Sequence, residues 1–155
     1  MLEKNYGRIK FIKRNISYKN INFINDIKKV NTDTYDSIIE SSGDAKMISL
    51  AINFLSRKGR LVFATHPEKS AKLKINPYDL IIGKKIFGTW GGDINFKKDT
   101  NKLVKIMNSF PNIEKIFFNK TYKLDKINSV IRLFRKGKIV RPVSYTHLRA
   151  HETEE

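Results

Sequence analysis

Two glycine-marked turns, one further strand end and three scattered histidines are what this 155-residue chain offers for chemistry. Ser41-Ser42-Gly43 and Trp90-Gly91-Gly92 each follow an apolar run, and Ala64-Thr65-His66 closes a third run between them. Glycine after a strand removes the Cβ and lets a flat ring or a phosphate approach main-chain N–H groups. In an open parallel sheet, ligands bind beyond the carboxyl ends of the strands, so three such turns could frame one ligand. Taken singly, each glycine is better explained as the residue that ends its strand. Self-sufficient catalytic equipment is sparse. Cysteine is absent, which excludes disulfides, thiolate zinc ligands, iron–sulfur clusters and a thiol nucleophile within these residues. Asp36 and Glu40 share one side of a strand but lie too far apart along it to share a proton. His147 and His151 are spaced as a helical metal pair would be, yet no third ligand accompanies them. No G-x-S-x-G, H-E-x-x-H, Walker or G-x-G-x-x-G pattern occurs.

The elements that would position these turns follow from hydrophobic period. Tyr6–Lys13 alternates and predicts a strand, and Ile21–Asn25 is a second short β candidate. Tyr35–Glu40 is a compact β run stopped by Ser41-Ser42-Gly43. Asp44 to Arg57 predicts an amphipathic helix, with Met47, Ile48, Ala51, Ile52, Phe54 and Leu55 on one face and Gly59 at its end. Leu61–Ala64 is continuously apolar, as in a strand covered on both faces. Asn76-Pro77 reads as an N-cap followed by proline at the first helical position, opening a short helix with Tyr78, Leu80, Ile81 and Ile82. Lys85–Trp90 is the next strand, Asp99–Phe110 the next helix, Ile113–Tyr122 is mixed, Leu124–Lys136 is a helix ended by Gly137, and Ile139–Val143 is a last strand. The alternation predicts an α/β fold.

Charge and composition narrow the class. Hydrophobic residues make up 40% of the chain, enough for a core, so wholesale disorder is excluded. No apolar run approaches the roughly 18 residues of a membrane span, and no signal peptide opens the chain, so no membrane partner and a soluble, cytoplasmic protein are expected. The net charge of +16 is an electrostatic footprint of the size nucleic acid attracts. The excess is mostly lysine, scattered through every segment alongside abundant Ile and Asn. Codon bias explains that better than a nucleic-acid partner, which would favour clustered arginine. The best aromatic and basic cluster for the nucleic-acid alternative is Lys115, Phe117, Phe118, Lys120, Tyr122 and Lys123. A non-catalytic α/β interaction module is the other alternative.

Taken in order, Asp36–Gly43, Gly59–Ala64, Lys84–Gly92, Tyr122–Asn128 and Gly137–Arg141 resemble the C-terminal part of the zinc-containing, medium-chain alcohol dehydrogenase family. The resemblance runs from about Ile21 to Val143. It implies a partial Rossmann-type parallel sheet, the second half of a doubly wound domain, over residues 21–90. Residues 91–143 would be the return segment into the catalytic domain. It implies a nicotinamide dinucleotide, NAD or NADP, held as a half-site. Ser41 and Ser42 would lie near its adenosine end. Ala64, Thr65 and His66 would lie along the nicotinamide, mainly through main-chain groups. The main chain at Trp90-Gly91 would face the carboxamide, and Arg141 would pair with the pyrophosphate, where a planar guanidinium suits a phosphate. A homodimer through the last Rossmann strand is a further implication.

The family's zinc ligands, proton relay and glycine-rich phosphate turn lie N-terminal to the matched region, and residues 1–20 match none of them. The expectation is a dehydrogenase fragment whose parent moves a hydride between an alcohol and nicotinamide and which is inactive by itself. Without the central strand, Tyr35–Glu40 would have an open edge unless Gly7–Lys13 covers it, and the Trp90–Phe110 surface would be bare. Residues 144–155 resemble translated sequencing-adapter read-through and are set apart from the fold.

Overall fold

The computed structural model describes residues 1–16, 20–110, 120–136, 138–139 and 142–145. The chain divides into two compact units, Ile27–Thr100 and Met1–Asp26 together with Asn101–Glu155.

In the first unit three short apolar runs pair side by side. Strands β1 (Tyr35–Glu40), β2 (Leu55–Phe63) and β3 (Lys85–Gly88) form a sheet in that order, and both pairings are parallel. Ile38, Leu61 and Ile86 stand in one row across it. Their face is covered by the crossover helix α2 (Ala45–Ala51), so that Ile48, Ala51, Ile52, Leu55 and Leu61 form the core, with Phe63, Leu73 and Ile75 packed against it. Asp44 caps α2 by accepting the Lys46 N–H at 2.8 Å. Asn76 caps the short helix α3 (Pro77–Ile81) in the same way at 3.0 Å, as the Asn-Pro pair predicts. Parallel strands joined by helical crossovers give the expected α/β fold.

Four expectations are corrected in this unit. The helix from Asp44 does not reach Arg57. It tightens into a 3₁₀ turn over Ile52–Phe54 and becomes β2 at Leu55. The cause is tertiary. The carbonyls of Asn53 and Phe54 accept the N–H groups of Asp33 (2.9 Å) and Thr34 (3.0 Å), and that of Ile52 accepts from Lys84. Three carbonyls that would have served the last helical turn are engaged from outside it. Gly59 consequently ends no helix. It lies within β2, where the register shifts between Tyr35 and Ser37, and a Cβ there would sit 2.8 Å from the Tyr35 carbonyl oxygen. Leu61–Phe63 is covered on one face only: on the other, Ile39 is 78% exposed and Phe87 is also exposed. Finally, β3 ends at Gly88, two residues before Trp90.

At the amino ends of the sheet, one lysine joins the entrances of all three strands. Lys84 is 4% exposed. Its ammonium donates to Asp33 Oδ1 at 2.8 Å and to the Ile52 carbonyl at 3.1 Å, and pairs with Asp79 Oδ1 at 3.1 Å. Three N–H donors meet three acceptors, which is full satisfaction for an ammonium. Burial alone pulls the Lys84 pKa down, but the hydrogen bonds and negative charges of Asp33 and Asp79 outweigh it and hold the pKa above the ordinary value of 10.5.

In the second unit, residues 6–13 are not a strand. They belong to helix α1 (Tyr6–Asn15), whose N-cap Asn5 accepts the Arg8 N–H at 3.1 Å and whose last turn carries Lys13 and Arg14. Ile9 is buried, one turn from Ile12, so the helical period wins over a short alternation. A helix there adds no strand to β1. Ile21–Asn25 likewise forms no strand, only a parallel bridge of Ile24 with Leu2. Helix α4 (Phe96–Ser109), whose first turn belongs to the first unit, starts before the expected Asp99. Strand β4 (Thr121–Lys123) leads through a 3₁₀ turn into helix α5 (Ile127–Arg135) and pairs in parallel with β5 (Val143–Tyr145). The last strand therefore begins where Ile139–Val143 was expected to end. It takes in Ser144 and Tyr145, which the sequence reading set apart from the fold. Val140, Gly137 and most of the mixed stretch 113–122 lie outside the described residues.

Removing the Lys84 ammonium leaves two carboxylates and a carbonyl without their shared donor, so Lys84→Met is expected to lower the unfolding free energy by about 3 kcal/mol. Asp79→Asn should cost more than Asp33→Asn, since the Asp33 side chain is 68% exposed. Because the folded-state pKa is raised, this contribution is intact below 10.5 and fades as pH rises through the folded-state value. Urea unfolding at successive pH values checks both statements. A Lys84→Met deficit that grew as pH rose through that value would contradict the linkage.

Candidate functional site

Because β1, β2 and β3 are adjacent and parallel, the turns that follow them open on one rim of the sheet. The first turn is pinned from inside. Glu40, the last residue of β1, is 8% exposed and its Oε1 accepts the Ser42 N–H at 2.7 Å. Ser42 Oγ accepts the Asp44 N–H at 3.1 Å, so a relay of side-chain acceptors runs from Glu40 to the α2 cap. Gly43 between them has φ +76°, a left-handed conformation that costs other residues about 1 kcal/mol or more. The Ala64 N–H donates to the Glu40 carbonyl at 3.1 Å and the Thr89 N–H to the Phe63 carbonyl at 3.1 Å. The ladder thus continues one residue past each strand and ties the three turns together.

The third turn is the tightest. Gly91, Gly92 and Asp93 have φ of +63°, +79° and +53° in succession. The Asp93 N–H closes the turn on the Trp90 carbonyl at 3.2 Å, and Asp93 Oδ2 accepts the Thr89 hydroxyl at 2.9 Å. At Gly88, a Cβ would come within 2.9 Å of Phe63 Cζ, so the glycine is what lets the Phe63 ring lie across the end of β3. Between the second and third turns is an open cleft of about 590 Å³, lined among others by Thr65, His66, Pro67, Lys69, Trp90 and Asp93. The rings of His66 and Trp90 meet there, centroids 4.0 Å apart and planes tilted by 51°.

The structure brings Thr65, His66 and Trp90 to one cleft, with Ala64 leading into it and Gly91 in the turn beyond. Ser41 and Ser42 lie on the neighbouring turn, both exposed. Arg141 lies outside the described residues, as do His147, His151, Lys115, Phe117 and Phe118. Asp36 and Glu40 form no pair: Asp36 Oδ1 accepts the Ser56 hydroxyl at 2.7 Å. Sequence reasoning missed the anchoring role of Glu40 and the side-chain contact of His66 with Trp90. A polar residue at the buried end of an apolar strand was the available signal for Glu40.

Two buried polar atoms at this rim, Glu40 Oε2 and Thr65 Oγ1, have no hydrogen-bond partner among the described residues. Such orphans are uncommon in native folds and mark places where a polar ligand or ordered water belongs. Together with the glycine at 43, whose missing Cβ would touch Thr65 at 3.6 Å, they fit a site where a ligand approaches main chain. A metal fits less well. Among the described residues no group of three or more His, Asp, Glu or Cys side chains is placed to hold an ion, and the ring of His66 lies tilted against an indole. No helix among them is long and apolar enough to cross a membrane.

No protein-family model and no curated protein sequence matches the chain. Solved structures do. The chain superposes on benzyl alcohol dehydrogenase from Acinetobacter calcoaceticus with a TM-score of 0.74 at 19% identity, over 94% of this chain and 42% of that one. An alcohol dehydrogenase zinc-binding domain protein from Burkholderia ambifaria gives 0.75 at 20% identity, covering 95% and 41%. Acetophenone reductase from Geotrichum candidum, solved in complex with NAD, gives 0.67 at 16% identity, covering 94% and 40%. At such identities the likeness is one of fold. The chain spans about two-fifths of the length of these structures.

Two glycine substitutions test the rim. Gly88→Ala drives a methyl into the Phe63 ring and should destabilise the fold by about 1–3 kcal/mol. Gly43→Ala meets only ordinary contacts, so its loss, about 1–2 kcal/mol, comes from the left-handed backbone. Chemical denaturation measures both; a neutral Gly88→Ala would mean that Phe63 does not lie over β3.

Proposed function

We propose that this chain forms the second half of the cofactor domain of a nicotinamide-dependent dehydrogenase akin to the zinc-containing medium-chain alcohol dehydrogenases. On this reading residues 21–90 belong to that domain and residues 91–143 to the return into a catalytic domain. The observation that carries it is the parallel β1–β2–β3 order, which sets three ligand-accessible turns along one rim. The fold likeness to two alcohol dehydrogenases and to a reductase solved with NAD supports it.

In this reading Ser41 and Ser42 border the adenosine end of a dinucleotide. Main-chain groups at Ala64, Thr65 and His66 lie along its nicotinamide, and the main chain at Trp90 and Gly91 faces the carboxamide. Arg141 takes the pyrophosphate. When bound, the dinucleotide accepts or gives the hydride; the residues of this chain bind and orient it. Zinc chemistry would belong to other polypeptide, since the described residues provide no donor set for it. The site is half of a cradle. The outer edge of β1 pairs with no strand among the described residues, and a further parallel strand there would carry the other half. The outer edge of β3 is where a second copy of the chain would pair. The parent reaction is hydride transfer between an alcohol and the dinucleotide, and the chain alone is not expected to perform it.

Calorimetric titration with NADH and with ADP-ribose tests the reading. Half a site should bind each at one equivalent with a dissociation constant on the order of 1 mM, about −4 kcal/mol. Absence of binding, together with RNA retention that falls steeply with salt, would replace this reading with the nucleic-acid one.

A further inference from the structure

We propose that the indole of Trp90, backed by the imidazole of His66, is a stacking platform for a planar cationic heteroaromatic ring, of which the pyridinium of an oxidised nicotinamide is the type. The proposal deepens the dinucleotide reading and rests on it for the identity of the ring's carrier. Trp90 is the chain's sole tryptophan and is 78% exposed at the mouth of a cleft. An indole left so open has unspent apolar area. It is nonetheless held in place: His66 lies against it at 4.0 Å, too close for a third ring to enter between them, so a ligand ring must stack on the open side of the indole.

The turn that carries Trp90 is rigidly closed by Asp93, through its N–H on the Trp90 carbonyl and its carboxylate on the Thr89 hydroxyl. The indole thus projects from the loop after β3 and rests against His66 on the loop after β2. The face of an indole is electron-rich and attracts cations more than neutral rings. Asp93 and Lys69, which line the same cleft, add one charge of each sign, which suits a ligand bearing a ring cation and a phosphate. The main-chain contacts proposed above hold either redox form alike. The Trp90 side chain would favour the oxidised one.

Tryptophan emission reports this site alone. Titration with 1-methylnicotinamide, a cation, should quench it saturably, and neutral nicotinamide should bind at least severalfold more weakly. By calorimetry, Trp90→Leu should weaken NAD⁺ by about fivefold and NADH by less, and His66→Ala should weaken NAD⁺ with circular dichroism unchanged. Quenching that rises linearly without saturation, or NAD⁺ binding untouched by Trp90→Leu, would overturn the platform and leave the dinucleotide reading standing. Saturable binding of 1-methylnicotinamide without any binding of NAD⁺ would uphold the platform and overturn its assignment to a dinucleotide.

Discussion

The parallel sheet depends on one buried ammonium. Lys84 stands at the entrance of β3 and holds Asp33 just before β1, the Ile52 carbonyl just before β2, and Asp79 on α3. Parallel strands have no tight hairpins to set their register; each pairing is made by a distant crossover. A single three-way donor at the amino ends of all three strands fixes where each begins. Once those starts are aligned, strand length decides where each ends, and the three turns reach the same rim. The ion cluster is thus stabilising at one end of the sheet and site-building at the other.

At the carboxyl end the organising group is again polar and buried. Glu40 holds the first turn through the Ser42 N–H, while its carbonyl accepts from Ala64 in the second turn. One residue therefore ties two of the three turns, and the Phe63 carbonyl ties the second strand to Thr89 in the third. The unpartnered Oε2 of Glu40 and Oγ1 of Thr65 lie in this tied region. Unsatisfied buried groups cost about 1–3 kcal/mol each, a cost that a fold retains most readily where something polar is meant to arrive. The unsatisfied polar atoms lie at the rim, while the core cluster behind it is apolar.

Much of this was legible as pattern. Tyr35–Glu40 followed by Ser-Ser-Gly, the Asn76-Pro77 start and the Lys85 strand are local contrasts, and each appears within a residue or two of its expected place at that end. What was illegible has a common cause. The helix after Asp44 stops early because donors distant in sequence take the Ile52, Asn53 and Phe54 carbonyls, and no local period records that. Lys84 is one lysine among many in a chain of net charge +16, and nothing near it in sequence distinguishes it from its neighbour Lys85, which is exposed. The alternation at Ile9–Lys13 was real but too short to separate a strand from a helix, and the Asn5 cap decided it. The contact of His66 with Trp90 joins two loops separated by a whole crossover.

The uncovered face of the sheet and the open edge of β1 share one physical origin. Parallel strands are ordinarily covered on both faces, yet here Ile39 and Phe87 are open to solvent on the face away from α2. A strand added along β1 would arrive with its own crossover, and a right-handed crossover progressing outward from that edge lays its helix on the opposite face from one progressing the other way. Lengthening the sheet on the β1 side would therefore cover Ile39 and pair the present outer edge of β1 in one step. Burial and edge pairing are coupled by topology.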